Sequence, residues 1–367
     1  MKIAIMAPLV TAIREPQRGG SQAFVSDLAR GLAGRGHEVH VYAASGSEIP
    51  GVEVIDTGVN PESLAGTLYR AGGPPGVNGA AKDPEPEAAA AAESAFAAAY
   101  SRMQITSGYD VVHNHAFDAP AVRLAATLPA PVVHTLHLPP DRAVSAAIRH
   151  AVRSSRPPTV AVVSEFQASA WRQVVAVEAI LPPYPPTGVI SWSETGGQGA
   201  LFAGRLSAEK GAAEAIDIAS AAELPIEVYG DPYDPEYVRQ QIEPRRYWPG
   251  VTVHQAVRRT SLWEAMAQAA VVLCPSRWDE PFGMVAAEAQ ACGTPVVAFR
   301  RAGLSEVIMD GVTGFLIPPS DLDAASEAVS KAAGLSRLAC REHAVRHLDL
   351  ELSLDAHEHL YEHAAGG

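Results

Sequence analysis

The chain has 367 residues, of which 47% are hydrophobic, so it is long enough to form two domains with buried cores. Its 28 basic and 41 acidic residues give a net charge of −13, which argues against a nucleic-acid-binding face. The three cysteines form no CxxC pair and no apolar run reaches about 18 residues, which argues against a disulfide framework, a cysteine zinc site and a membrane span, and indicates a cytoplasmic protein.

Short apolar runs rich in β-forming residues alternate with helical patterns through the first half of the chain. The segment Ser21–Ala33, which follows the first run, is predicted to be a helix because Phe24, Leu28 and Leu32 lie on one face. Continuous apolar strands that alternate with helices indicate a parallel sheet with both faces covered. The predicted strands are KIAIMAPLV, EVHVYAA, VEVIDTG, DVVHNH, PVVHTLH, TVAVVS and EAILPP.

Two further segments lie between these strands. The sequence from Gly72 to Ser101 is rich first in proline and glycine and then in alanine, which predicts an exposed loop followed by a helix. The stretch from Arg142 to Arg156 combines arginines with an apolar stripe. We interpret it as a solvated helix face, with contact to an anionic membrane as the alternative.

The second half of the chain repeats the alternation after a break. The stretch from Leu181 to Gly199 is dense in proline and glycine, which is typical of a linker. A helical tail is predicted from Ser336 to His363, with His357 and His359 solvated on its surface. Asp321 is interpreted as a helix N-cap rather than a metal ligand. Strands are predicted in ALFAGRL, IEVYGD, VTVHQ, AVVLCPS, PVVAF and GFLIPP.

Polar residues that could bind a ligand or take part in a reaction follow several of these strands. Gly19 and Gly20 precede the first helix, where glycine allows a phosphate or sugar to approach the backbone, although a simple turn explains them equally well. Their spacing fits neither a dinucleotide fingerprint nor a P-loop. His115 ends one strand with His113, on the same face, and His134 and His137 end another. These histidines could bind a ligand in a cleft or be structural, and a metal site is the least favoured alternative.

Two motifs in the second half carry charge. Arg205 and Lys210, in FAGRLSAEKG, follow a strand at the edge where α/β sheets bind ligands, and both side chains can hold phosphate. The alternative is that they are ordinary surface cations beside a loop. In DEPFGMVAAEAQ, Glu280 precedes a helix predicted at Met284–Ala291 and Glu288 lies inside it. An extended nucleotide sugar could use the first carboxylate for the sugar, the helix start for phosphate and the second carboxylate for the ribose. The alternative is a favourable acid near a helix start and a solvated glutamate.

Together these motifs resemble the retaining glycosyltransferases of family four, with the E-x7-E pattern and the GT-B fold. The matching stretches include RGGSQAFVSDLARGLAGRGHEVHVYA, YDVVHNHAF, VSEF, FAGRLSAEKG and the region from PSRWDEPFGMVAAEAQ to GFLIPP. The resemblance implies an α/β protein with two Rossmann-like parallel-sheet domains facing a central cleft. Residues 1–186 would form the acceptor domain, residues 187–348 the nucleotide-sugar domain, and residues 349–367 a helix that crosses back to the first domain.

The resemblance also assigns residues to roles. Arg205 and Lys210 would hold the pyrophosphate, Glu288 the ribose, Glu280 the transferred sugar, and His115 the sugar near the reacting centre. Of these, Glu280, His115, Arg205 and Lys210 would be catalytic. The other donor-binding residues would be Gly19 and Gly20 in the glycine loop, and Phe282, Gly283, Met284 and Val285 through their backbone groups.

The expected reaction is transfer of a hexose from a nucleotide diphosphate sugar, UDP-linked by first choice, to a hydroxyl of a small or natural-product acceptor. No metal or other cofactor and no nucleic acid is expected. The alternatives are a membrane-surface enzyme with a lipid-linked acceptor, a sugar-nucleotide 2-epimerase, a sugar phosphorylase, and a non-catalytic nucleotide-sugar-binding module. The chain departs from the family in PPTGVIS and YGDPYDP, which bears on donor and acceptor preference.

Overall fold

A computed structural model describes residues 1–64, 86–106 and 108–366 of the chain. The protein forms two compact units. The first comprises Met1–Arg14, Gly20–Pro183 and Leu350–Gly367, and the second comprises Glu15–Gly19 and Tyr184–Asp349. The division therefore falls after Pro183, within the predicted linker, rather than after residue 186.

All thirteen predicted strands are present, and they form two parallel sheets. In the first half they are β1 (Lys2–Met6), β2 (Glu38–Ala43), β3 (Glu53–Asp56), β4 (Val111–Asn114), β5 (Val132–Leu136), β6 (Thr159–Val162) and β7 (Ala179–Ile180). In the second half they are β8 (Ala200–Ala203), β9 (Ile226–Tyr229), β10 (Val251–His254), β11 (Val271–Cys274), β12 (Val296–Phe299) and β13 (Gly314–Ile317).

Helices connect the strands as the alternating pattern predicts. They are α1 (Gly20–Gly34), α2 (Pro86–Thr106), α3 (Ala119–Ala125), α4 (Arg142–Ala151), α5 (Glu165–Trp171), α6 (Ala212–Ala221), α7 (Pro235–Tyr237), α8 (Arg259–Gln268), α9 (Met284–Ala291), α10 (Leu304–Val307), α11 (Leu322–Ala332), α12 (Arg337–His347) and α13 (Leu350–Gly366). The loop predicted from Gly72 lies outside the described residues up to residue 85, and α2 forms the helix predicted after it.

Strand order locates the candidate ligand edge of each unit. The first sheet runs β3-β2-β1-β4-β5-β6-β7 and the second runs β10-β9-β8-β11-β12-β13. The order reverses between β1 and β4 and between β8 and β11, and the carboxyl ends of strands at such a switch point form the usual binding crevice of an open α/β sheet. The prediction of two Rossmann-like parallel sheets is confirmed.

Each sheet is covered by helices through a continuous apolar core. In the second unit, Ile216 on α6 and Val329 on α11 pack against Val228, Leu273 and Phe299 on the strands. These side chains lie on one face of the second sheet and are at most 1% exposed. Val272 and Val296, which point to the opposite face, are also fully buried, so the alternation of strand and helix is maintained by burial on both faces of the sheet.

In the first unit α2, α4 and α5 pack on one face of the sheet, because the strand side chains of both apolar clusters share that face. The other face carries α13, where Tyr361 meets His113 of β4.

Several smaller predictions can be compared with the structure. The three cysteines are free, and Asp321 caps α11 by accepting a hydrogen bond from the backbone N–H of Ala324 at 3.0 Å. On α4, Val144 and Ile148 are buried whereas Arg142 and Arg149 are exposed. No helix in the described part of the chain is long and apolar enough to cross a membrane.

The prediction that His357 is solvated is wrong. Its side chain is fully buried on α13, which packs against α1, β4 and β5 in the first unit. The His357 ring lies 5.8 Å from Phe24, and the hydroxyl of Tyr361, one turn later, lies 2.6 Å from Nδ1 of His113. His359 is exposed as expected. Leu350, Leu354, His357 and Tyr361 share one helical face, which places this histidine in an apolar stripe rather than in solvent.

Burial of His357 makes stability depend on pH. Burial lowers the pKa of His357 to about 4, below the value of about 6.5 expected in the unfolded chain. The unfolded state therefore binds more protons between these values, and the stabilisation is complete above about pH 6.5 and lost as the pH falls towards 4. We expect His357→Gln to reduce the decline in unfolding free energy by about 1.4 kcal/mol per pH unit in this window.

Urea denaturation at pH 7.5, 6.5 and 5.5 measures this slope. The matched control is His363→Gln, which removes an exposed histidine from the same helix and should leave the slope unchanged. A slope for His357→Gln equal to that of the wild type would contradict the prediction.

Candidate functional site

The carboxyl ends of β8 and β11 bring the first charged motif of the second unit together with the loop that contains Glu280. Lys210 Nζ lies 2.5 Å from Glu280 Oε1 and 5.3 Å from the centre of the Trp278 ring. The turn before α6 depends on Gly211, which has φ 77° and whose Cβ, if present, would lie 2.1 Å from the carbonyl oxygen of Pro275. Only glycine allows the two loops to approach this closely.

The Glu280 carboxylate is partly buried but remains ionised. Burial by itself raises the pKa of a carboxyl group, but the nearby ammonium of Lys210 and hydrogen bonds, including one from Ser276 Oγ at 3.2 Å, bring the pKa of Glu280 below its usual value. The side chains of Lys210 and Glu280 are 23% and 13% exposed, so solvent screens the pair only partly. The two residues, 70 positions apart in sequence, form one charged centre.

Arg205 lies at the same edge with partners of its own. One nitrogen, Nη2, is 3.2 Å from Glu209 Oε1, and the guanidinium carbon is 4.4 Å from the centre of the Tyr233 ring. A carboxylate on one side and an aromatic ring on the other restrict the guanidinium to one orientation. Glu209 comes from the same motif, and Tyr233 follows β9.

The start of α9 lies directly after Glu280. Gly283 is its N-cap, with φ 108°, and a Cβ there would lie 2.7 Å from the Leu304 side chain. The first N–H groups of a helix have no partner within the helix, so Met284 and Val285 present N–H groups of the kind that bind phosphate. Phe282 is buried and its ring lies 5.7 Å from Tyr184. The structure therefore brings Arg205, Lys210, Glu280 and Phe282–Val285 to one edge of this sheet.

Glu288 is buried, so the alternative of a solvated glutamate is wrong. Its side chain lies on α9 and accepts two hydrogen bonds from Arg259 on α8: from Nε at 3.1 Å and from Nη2 at 2.7 Å, both ending on Oε1. Arg259 was missed in the sequence analysis. The available signal was a glutamate within an otherwise apolar helix, because a buried carboxylate needs a cation or several hydrogen bonds.

The histidines meet at the carboxyl ends of β4 and β5 in the first unit. His115 is fully buried, its Nδ1 is 2.9 Å from His137 Nε2, and its ring centre lies 4.0 Å from that of His113, with the two rings tilted by 37°. Burial lowers the pKa of His115 well below its usual value, with the neighbouring histidines adding to the effect, so the ring is neutral. Its Nε2 has no hydrogen-bond partner among the described residues.

The remaining predictions concern the position of the glycine pair and the grouping of side chains that could bind a metal ion. Gly20 is the first residue of α1 in the first unit, whereas Gly19 belongs to the Glu15–Gly19 segment of the second unit. In the described ranges, no three His, Cys, Asp or Glu side chains are grouped so that they could hold a metal ion.

The chain matches two family models, one in each half. The model of Glycosyltransferase Family 4 matches residues 18–181, and the model of Glycosyl transferases group 1 matches residues 193–342. A D-inositol 3-phosphate glycosyltransferase from Xylanimonas cellulosilytica is 30% identical over 87% of this chain and 85% of that protein.

Two solved structures share the fold of the chain. Sucrose-phosphate synthase from Thermosynechococcus elongatus has a TM-score of 0.79 at 18% identity and covers 99% of both chains. The Anabaena protein HepE, solved in complex with UDP-glucose, has a TM-score of 0.69 at 19% identity over 98% of this chain and 99% of that chain. At such identities the likeness establishes the fold alone.

The Lys210–Glu280 pair is expected to stabilise the second unit as well as to bind ligand. Lys210→Met would leave a buried carboxylate without its cation, which costs about 3 kcal/mol of unfolding free energy. Lys331→Met serves as the control because Lys331 and Glu327 form an exposed pair at 3.9 Å, and the loss there should stay below about 0.5 kcal/mol. Urea denaturation of both variants measures the difference, and equal losses would contradict the burial argument.

Proposed function

The chain belongs to the family 4 glycosyltransferases with the GT-B fold, and from that premise we propose that it transfers a hexose from a UDP-sugar to a hydroxyl group of a small acceptor, with retention of the anomeric configuration. The observation that carries the proposal is the cluster of Arg205, Lys210 and Glu280 beside the start of α9. This cluster has the charges that departure of a diphosphate requires.

Charge stabilisation of the leaving group is the main demand of the reaction. As the bond between the sugar and the diphosphate breaks, negative charge develops on the phosphate oxygens. Arg205 can fork onto these oxygens, Lys210 supplies a point charge, and the N–H groups of Met284 and Val285 add fixed dipoles. We propose that these groups meet the charge without a metal ion.

The sugar develops the opposite charge. The ionised Glu280 carboxylate is proposed to lie beside the transferred sugar and to stabilise its cationic character. The acceptor hydroxyl oxygen forms the new bond to the anomeric carbon, the bond from that carbon to the phosphate oxygen breaks, and the hydroxyl proton moves to the departing phosphate. His115 has a neutral ring whose Nε2 has no hydrogen-bond partner among the described residues, and its assignment to the donor sugar by the family resemblance stays a prediction.

The identities of donor and acceptor are proposed from the relatives. HepE was solved with UDP-glucose, which supports UDP-glucose as the first donor to test. The similar protein from Xylanimonas cellulosilytica is named for D-inositol 3-phosphate, which supports polyols and their phosphates as the first acceptors. We propose residues 187–348 as the donor domain and residues 1–186, with the terminal helix, as the acceptor domain.

Replacement of Arg205 tests the donor site. We expect calorimetry with a panel of UDP-, GDP-, ADP- and TDP-sugars to reveal one preferred donor, and Arg205→Ala to weaken its binding at least about tenfold because a charge-assisted contact to phosphate is lost. Arg239→Ala is the control, since the Arg239 side chain is 72% exposed and pairs, among the described residues, with its helical neighbour Glu236. Absence of binding to any nucleotide sugar would overturn the proposal.

Replacement of Glu280 tests the chemistry. We expect Glu280→Gln, which preserves shape but removes the charge, to lower kcat at least about a hundredfold while donor affinity changes much less. NMR of the product should show the anomeric configuration of the donor. Turnover of the donor without an acceptor would instead indicate an epimerase, and a requirement for inorganic phosphate would indicate a phosphorylase. An unchanged kcat would remove Glu280 from the catalytic residues.

A further inference from the structure

Arg259 is held in place from three sides within the second unit. Its guanidinium donates two hydrogen bonds to Glu288, and its carbon lies 4.9 Å from the centre of the Trp263 ring, one turn further along α8. Its backbone N–H, at the start of the helix, donates to Glu15 Oε2 at 3.1 Å. Arginine side chains usually keep much rotational freedom, so a guanidinium fixed by a carboxylate, a ring and its own anchored backbone has a defined position.

The pair is also shielded from water. Arg259 is 8% exposed and Glu288 is 5% exposed. A carboxylate buried to this extent is costly unless a cation and hydrogen bonds compensate it. Arg259 supplies both the cation and the hydrogen bonds. Its two hydrogen bonds hold the carboxylate in one rotational position, and its positive charge favours the ionised form.

The geometry of the fork determines what Glu288 can offer a ligand. Both hydrogen bonds from Arg259 end on Oε1. Because Oε1 is held in this way, the plane of the carboxylate is fixed, and the two lone pairs of Oε2 diverge within it. An oxygen with two lone pairs in fixed directions is suited to accept hydrogen bonds from two adjacent hydroxyl groups. The cis diol of a ribose is such a pair of donors, whereas 2′-deoxyribose offers only one.

We propose that Arg259 positions Glu288 for the ribose diol, and that the pair makes the donor site selective for ribonucleoside over deoxyribonucleoside diphosphate sugars. This inference rests on the proposed function and on the assignment of Glu288 to the ribose that the family resemblance implies. It adds a positioning residue from α8, outside both charged motifs. It also defines the class of donor by the ribose of its nucleoside rather than by its base.

The test uses calorimetry to compare the binding of UDP-glucose with that of its deoxy analogue, in which the ribose lacks the 2′-hydroxyl group. A site that hydrogen-bonds a substrate hydroxyl rejects the analogue that lacks it, because a buried polar group is left unpaired. We expect the wild type to bind UDP-glucose at least about tenfold more tightly than the deoxy analogue. In Arg259→Gln this ratio should fall below about threefold, and in the double variant with Glu288→Gln it should equal that of Glu288→Gln alone, since the two residues act as one unit.

The matched control is Arg245→Gln. Arg245 forms a similar two-point pair with Asp217 in the same unit, with Nε–Oδ1 at 2.7 Å and Nη2–Oδ2 at 2.9 Å, but it has no proposed contact with the donor. This variant should retain the wild-type ratio. Should Arg259→Gln fail to fold, Arg259→Lys keeps the charge without the fork and should still lower the ratio.

The outcomes separate this inference from the proposed function. Binding of UDP-glucose by the wild type with an unchanged ratio in Arg259→Gln or Arg259→Lys would overturn the positioning role and leave the donor site intact. Equal binding of both analogues by the wild type would overturn the selectivity. No binding of any nucleotide sugar would overturn the proposed function, and this inference with it.

Discussion

The candidate ligand edge of the second unit depends on the pairing of charges away from bulk water. Three pairs lie there or on the adjacent helix: Lys210 with Glu280, Arg205 with Glu209, and Arg259 with Glu288. A charge removed from water needs a compensating charge nearby, and each pair therefore constrains the loops or helices that carry its members. The turn at Gly211 is a consequence of this constraint, because the loops that carry Lys210 and Glu280 must approach closely for their pair to form.

The ionisable groups at the corresponding edge of the first unit are of a different kind from the ion pairs of the second unit. Its ligand edge carries neutral imidazoles, which are packed against each other and against Phe24 instead of being paired with carboxylates. Burial lowers the pKa of both His134 and His137 to about 3, so these rings contribute hydrogen bonds without charge. The edges of the two units thus differ in chemistry, one suited to phosphate and the other to uncharged polar groups.

The sequence predicted the strands well because apolar runs that are covered on both faces have a clear pattern. The charged residues Arg205, Lys210 and Glu280 were expected to act together, and the structure places them at one edge of the second sheet because they directly follow parallel strands. Their roles in binding and catalysis stay a prediction. The sequence did not predict Arg259, whose partner is 29 positions away on another helix, nor the burial of His357, whose neighbour His113 belongs to a distant strand. Such pairings depend on helix packing, which a local pattern does not encode. The placement of Glu15–Gly19 in the second unit is of the same kind.

The ion pairs connect stability with the proposed reaction. In the unliganded protein, Glu280 is the partner of Lys210 at 2.5 Å. In the proposed donor complex the diphosphate becomes a second anion beside Lys210. The ammonium is then shared between two anions and neutralises the carboxylate less, so the carboxylate interacts more strongly with the adjacent sugar. The negative charge of the carboxylate is useful at the moment when the sugar becomes cationic. Without ligand, the Lys210–Glu280 interaction therefore stabilises the fold. In the proposed complex the negative charge of Glu280 instead stabilises positive charge on the reacting carbon.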